Sequence, residues 1–317
     1  MAPVIIIGMH RSGTSLASWL LQSCGLYVGG GNYPRTNENP FFVQLNSWVL
    51  RQCGVDWDLD DPVPSLMQCA PAADLMTDAL SAAMRSPWSI RYLGWRGYLK
   101  HRNVTALNAP WGWKDPRSTL TLPLWMRLFP DARVVHVTRH GVDVAESLRA
   151  RWERHSLARV EHYRRRLPLY IFRRKRIGVF YTRCAEPQQG LNLWAQYMRA
   201  AQNNLLAVPA HQRLQIRYED LLSDPLPELR RLARFCGLPT DQHRIAQAID
   251  QHRLNDARAY AHRQDPDLRA LAHANAGLLA DHAYDAPSAH MDAPASPAEG
   301  ADNPSAATWA SAEASVS

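Results

Sequence analysis

Pro3-Val4-Ile5-Ile6-Ile7-Gly8-Met9-His10-Arg11-Ser12-Gly13-Thr14-Ser15 is followed by the apolar run Leu16–Leu21. A short apolar run, a glycine-bounded turn and a second apolar run of helical length predict, in that order, a buried strand, a tight loop and the first turns of a helix. Such a loop aims successive backbone N–H groups and the positive end of a helix at one spot, where a phosphate or sulfate ester fits. The usual nucleotide loop reads G-x-x-x-x-G-K-[ST], with its lysine on the outer phosphates. Here the lysine position holds Thr14, and the cation stands three residues earlier as Arg11. The loop is therefore suited to an anion other than the end of a triphosphate.

Outward from this loop, Arg133–Thr138 and Leu214–Arg217 read as two further buried strands, and Trp111–Lys114 as a short fourth. Helical patterns are predicted over 15–23, 41–53, 75–84, 120–128, from Val142 onward, 191–206 and 226–236. Strands that alternate with helices predict an α/β class: a P-loop-like three-layer fold with a central parallel sheet and helices on both faces. Phosphate-bearing ligands bind beyond the carboxyl ends of such strands. That places Arg139, just after the strand Arg133–Thr138, and Ser147, two turns into the following helix, where they can reach a second anionic group of one ligand.

The expected organisation is one domain over 1–284 and a disordered tail over 285–317, rich in Ala, Ser and Pro and poor in large apolar residues. Net charge is +7 across 317 residues, and of the 36 basic residues all but Lys100, Lys114 and Lys175 are arginine. Arginine suits repeated contact with planar oxyanions. Within 149–190, a basic insertion, the stretch Arg149–Arg183 holds twelve Lys and Arg against Glu153 and Glu161. It reads either as a solvated face or as an acceptor-binding lid in peripheral contact with an acidic surface. Nothing matches a nucleic-acid module, so no nucleic-acid partner is expected. Five widely spaced cysteines form no C-x-x-C pair and no zinc spacing, no segment is long and apolar enough to span a bilayer, and no basic leader precedes the first strand. A reducing, cytoplasmic location and no metal site are expected. Of the eleven tryptophans, Trp57, Trp88 and Trp95 are least tied to a regular element and are candidates to line an acceptor groove. His136 falls inside a strand and is expected to be a core residue.

Arg11–Ser15, Lys114-Asp115-Pro116-Arg117, Arg139 with Ser147, and Tyr218-Glu219-Asp220-Leu221 together resemble the sulfotransferases that use 3′-phosphoadenosine 5′-phosphosulfate, most closely the bacterial branch. The resemblance covers about residues 3–240. It implies that Arg11, Ser12, Gly13, Thr14 and Ser15 hold the 5′-phosphosulfate, with Arg11 on the bridging oxygen. It further implies that Arg139 and Ser147 hold the 3′-phosphate and that Tyr218 lies near the adenine. The family's stacking aromatic after the loop is replaced by Leu16, with Trp19 three residues late, and Arg258 and Arg263 are the candidates to complete the 3′-phosphate site.

The acceptor is implied to be a hydroxyl, on a glycan or a lipid-linked compound, which needs a general base. Asn37-Glu38-Asn39-Pro40-Phe41-Phe42 is similar to a segment of glycan sulfotransferases and makes Glu38 the first candidate and Asp115 the second. Gln44 stands where many bacterial members carry a glutamate. Lys114 is expected to stabilise charge on the transferred group, or else to share a structural ion pair with Asp115 and Arg117. Two other readings remain open at this point: a P-loop kinase or nucleotide hydrolase, which the missing lysine disfavours, and a non-catalytic anion-binding module.

Overall fold

The computed structural model describes residues 1–58, 63–154, 181–252, 254 and 259–284. The predicted 285–317 tail, most of the basic insertion and Arg258 lie outside the described residues. Four strands form the sheet: β1 (Val4–Ile7), β2 (Gly112–Lys114), β3 (Arg133–Thr138) and β4 (Arg213–Arg217). All pairings are parallel, in the order β2-β1-β3-β4, with Val4 opposite both Gly112 and Arg133, and Val134 opposite Arg213. This is the predicted central parallel sheet.

The helices in chain order are α1 (Thr14–Ser23), α2 (Pro40–Gln52), α3 (Val63–Gln68), α4 (Ala70–Arg85), α5 (Ile90–His101) and α6 (Ser118–Leu128), then α7 (141–154) and α8 (Pro187–Leu206). They continue with α9 (Tyr218–Ser223), α10 (Pro225–Phe235), α11 (Gln242–His252), α12 (Pro266–Ala274) and α13 (Ala276–Ala280). Alternation along the strands sends neighbouring side chains to opposite faces. Ile5, Ile7 and Val134 enter a core with Phe42, Leu80, Tyr92 and Trp125, from α2, α4, α5 and α6. Val4, Ile6, Val135 and Val137 enter a second core with Leu20, Leu232 and Ile245, from α1, α10 and α11. Continuous apolar strands are what a sheet covered on both faces requires, so the three layers follow from runs such as Val4–Ile7. The first core is dense with rings: Phe42 lies flat on Trp113 at 4.1 Å, with Trp125 at 4.8 Å from Trp113.

Strand order decides where the site lies. β1 has β2 on one side and β3 on the other, so the loops leaving β1 and β3 part at a switch point and open a crevice between their carboxyl ends. Gly8–Ser15 and Arg139 flank that crevice.

Candidate active site

The loop after β1 is shaped by two close approaches. Gly8 has φ 141, and a Cβ there would meet the Val137 carbonyl at 2.3 Å; Gly13 has φ 90, and a Cβ there would meet the Tyr218 ring at 2.2 Å. Neither position admits a side chain. The Ser12 hydroxyl closes the turn by donating to the Met9 carbonyl at 2.7 Å and reaches the Val137 carbonyl at 3.1 Å. α1 then starts at Thr14 with no side chain capping it, so its first-turn N–H groups keep their capacity to bind an anion.

Cations from three distant segments converge on that helix start. Arg11, at φ 72, donates from Nε to the Ser147 hydroxyl of α7 at 2.8 Å. Arg139 donates from Nη1 to the Arg11 carbonyl at 3.4 Å and lies with its guanidinium 4.7 Å over the Tyr218 ring. Its Nη2 is 3.9 Å from Asp143. Lys114, at the end of β2, donates from Nζ to the Ser15 hydroxyl at 3.3 Å and to Glu38 Oε1 at 2.8 Å. Lys114 is 2% exposed. Burial pulls its ammonium below the ordinary lysine range, and the Glu38 carboxylate opposes that shift.

Glu38 is held by its neighbours. Asn37, at φ 53, donates to the Ser18 hydroxyl and to Gln22 Oε1 of α1, each at 3.0 Å. Asn39 caps α2, its Oδ1 accepting from the Phe41 N–H at 3.0 Å, while its Nδ2 donates to the Gly30 carbonyl at 2.9 Å. The backbone that carries Glu38 is thus anchored by an asparagine on each side.

A sequence model described as the sulfotransferase family matches residues 3–242. The chain belongs to the sulfotransferase family. Among solved structures, it is similar to a sulfotransferase from Alicyclobacillus acidocaldarius at 17% identity, covering 90% of this chain and 97% of that one with a TM-score of 0.45. It is also similar to the sulfotransferase domain of the Synechococcus PCC 7002 olefin synthase, at 19% identity over 84% and 86% of the two chains with a TM-score of 0.43. A third likeness is to sulfotransferase STF1 of Mycobacterium tuberculosis H37Rv, at 19% identity over 79% and 71% with a TM-score of 0.40. No curated protein matches the chain.

In this sulfotransferase the residues singled out in the sequence fall into one neighbourhood: Arg11 with Ser147 and Arg139, Tyr218 against Gly13, and Lys114 with Glu38 and Ser15. Thr14, at the place of the usual loop lysine, is 3% exposed. The second base candidate differs in setting. Asp115 is wholly buried, with Oδ1 accepting from Arg117 at 3.0 Å and Oδ2 accepting from Asn46 at 2.8 Å. The structural ion pair expected among Lys114, Asp115 and Arg117 therefore joins Asp115 to Arg117, while Lys114 turns to Glu38. Gln44 accepts from Arg91 Nη1 at 2.6 Å.

Trp57 lines no open groove: it is 4% exposed and packs on His10 at 4.4 Å and Tyr181 at 4.7 Å. Trp19 stacks on His252 at 6.2 Å, and Arg263 lies 4.1 Å over the Tyr260 ring. His136 is a core residue, its imidazole pushed down to about 4 by burial.

Sequence reasoning passed over Asn37 and Asn39, although an Asn on each side of a carboxylate, the second before proline, is itself a turn-and-cap signature. It also passed over His10, buried within the loop, with Nε2 lacking a hydrogen-bond partner among the described residues. Burial first, then the charges of Arg117, Arg151, Lys114 and Arg11, hold that imidazole well below the ordinary histidine range.

Proposed function

We propose that this sulfotransferase moves a sulfuryl group from 3′-phosphoadenosine 5′-phosphosulfate to a hydroxyl of a carbohydrate or other small acceptor, free or lipid-linked. The observation that carries the reading is the convergence of Arg11, Arg139 and Lys114 on the uncapped start of α1. A donor with anionic groups at both the 5′ and 3′ positions needs two cationic stations. We assign Arg11–Ser15 with Lys114 to one and Arg139 with Ser147 to the other; the Ser147 hydroxyl accepts from Arg11 Nε at 2.8 Å, so the two assigned stations adjoin.

The chemistry asks for charge stabilisation and one proton transfer. Lys114 and the first-turn N–H groups of α1 are suited to the charge that develops on the transferred group and its leaving phosphate. Glu38 is suited to take the acceptor's hydroxyl proton, since Lys114 orients its carboxylate from one side. A kinase reading asks for a lysine where buried Thr14 stands. The five cysteines, none joined in a disulfide, fit the cytoplasmic location we assign.

Calorimetric titration with 3′,5′-ADP tests the reading. The wild-type chain is expected to bind it without added metal, and Arg139→Ala to weaken binding by about tenfold or more, the worth of a lost charge-assisted hydrogen bond. Absence of binding, or an unchanged affinity in Arg139→Ala, overturns it.

A further inference from the structure

We infer that the segment 85–102 forms a docking face for an anionic membrane surface. Trp88, Trp95 and Leu99 are 62%, 66% and 48% exposed, although Tyr92 and Leu93 between them are buried in the core. A large apolar side chain left in water is unremarkable singly; three within twelve residues of one segment call for a partner. Gly94 produces it. With φ 69 and ψ 169 it breaks α5 in the middle, and the turns that follow carry Trp95 and Leu99, four residues apart, on one side of the helix. Nothing lies within 4 Å of where a Gly94 Cβ would stand, so the glycine serves the bend, not a tight packing contact.

The charge carried by the segment itself has one sign. Arg85, Arg91, Arg96, Lys100 and Arg102 are all exposed, and no Asp or Glu occurs from Ala79 to Lys114. The Arg91 guanidinium lies 4.7 Å over the Trp88 ring. Tryptophan rings prefer the boundary between headgroups and acyl chains, and basic side chains beside them are drawn to anionic headgroups. An acidic polymer would satisfy the cations but offers no apolar medium for Leu99, which has neither a ring to stack nor a group to donate. The combination selects a lipid surface. Among the described residues no helix is long and apolar enough to cross a membrane, so the contact is peripheral.

This face is coupled to the site. The Gly30 N–H donates to the Tyr92 carbonyl at 2.8 Å, and Asn39 Nδ2 reaches the Arg91 carbonyl at 3.4 Å. The loop that carries Glu38 is thereby fastened to the start of the docking segment. If the sulfuryl-transfer reading holds, the acceptor is presented at the bilayer surface; the docking itself does not depend on that reading.

The full chain is to be sedimented with phosphatidylcholine vesicles, with and without about 30% phosphatidylglycerol, at low and high salt. Expected are binding that requires the anionic lipid and weakens with salt, and quenching of tryptophan fluorescence by brominated acyl chains. The Trp88→Ala/Trp95→Ala/Leu99→Ala variant and the Arg96→Gln/Lys100→Gln variant are each expected to lose about tenfold in apparent affinity. Circular dichroism and thermal melting of the same samples show that the variants are folded, and titration with 3′,5′-ADP reports the nucleotide site separately. No vesicle binding overturns the inference, as does binding that both variants retain, which would move it to Arg149–Arg183. Equal binding to a soluble acidic polysaccharide without bromine quenching also overturns it, in favour of an acidic polymer.

Discussion

Lys114 Nζ stands between two oxygens of different kinds, the Glu38 carboxylate at 2.8 Å and the Ser15 hydroxyl at 3.3 Å. Buried as it is, the ammonium would lose its proton more readily than in water, and the carboxylate restrains that tendency. Replacing Glu38 by Gln keeps an oxygen able to accept from Lys114 but removes the proton acceptor. Glu38→Gln is therefore expected to hold 3′,5′-ADP within about threefold of wild type, while turnover falls by about 10²- to 10⁴-fold, the usual range for a general base. Titration and steady-state kinetics on one preparation check this; full turnover removes Glu38 from the role. Each of the two residues was legible singly, Glu38 from its place before Phe41-Phe42 and Lys114 as a rare lysine among arginines. Their pairing was not, because it spans 76 positions and depends on β2 lying beside β1.

Among the elements, α2 acts as a bracket for the site through Asn46, which is wholly buried. Its Nδ2 donates to Asp115 at 2.8 Å and to the Ser118 hydroxyl at 2.9 Å, and its Oδ1 accepts from Thr121 at 2.6 Å and Trp125 at 2.7 Å. One side chain thus ties the end of β2 to α6. In Asn46→Leu the Trp125 N–H loses its acceptor and the Asp115 carboxylate keeps only the Arg117 side, while Ser118 retains the Trp113 N–H and Thr121 a longer contact to the Arg117 carbonyl. A loss of about 3 kcal/mol or more is expected, read as a lower urea midpoint with unchanged slope. An unchanged midpoint would mean that water replaces the amide. Such brackets leave no sequence pattern: Asn46 lies in a helix whose apolar spacing is all that composition displays. By contrast β1 and β3 were read to the residue, because a strand covered on both faces is a continuous apolar run. α5 was not foreseen, since Gly94 and Gly97 interrupt its periodicity.

At the scale of the molecule, the family match ends at residue 242, yet residues 259–284 return to the crevice behind Arg139. The His262 N–H donates to Asp143 Oδ1 at 2.8 Å, and its ring stacks on His140 at 3.9 Å. Burial alone would raise the Asp143 carboxyl, but His262 first and Arg139 second hold it below its ordinary range. The Tyr284 hydroxyl sits 3.0 Å from Thr138 Oγ1 and 3.3 Å from Glu219 Oε2, and Arg217 reaches the Ala283 carbonyl. These contacts join groups between 65 and 146 positions apart, so no periodicity announces them. They also connect stability to binding, because Asp143 faces both His262 and Arg139. A chain ending at His252 is accordingly expected to be less stable than one ending at Tyr284 by about 3 kcal/mol or more, the penalty for a buried charge stripped of a partner. It is also expected to bind 3′,5′-ADP more weakly, since Arg139 would then answer to an Asp143 that has lost its other partner. Should the shorter chain fail to fold, Tyr284→Phe gives the milder form: one hydroxyl lost between Thr138 and Glu219, a cost of about 1 kcal/mol, and a matching fall in urea midpoint. Equal midpoints and affinities across all three chains would show that the returning segment merely covers the crevice and does not brace it.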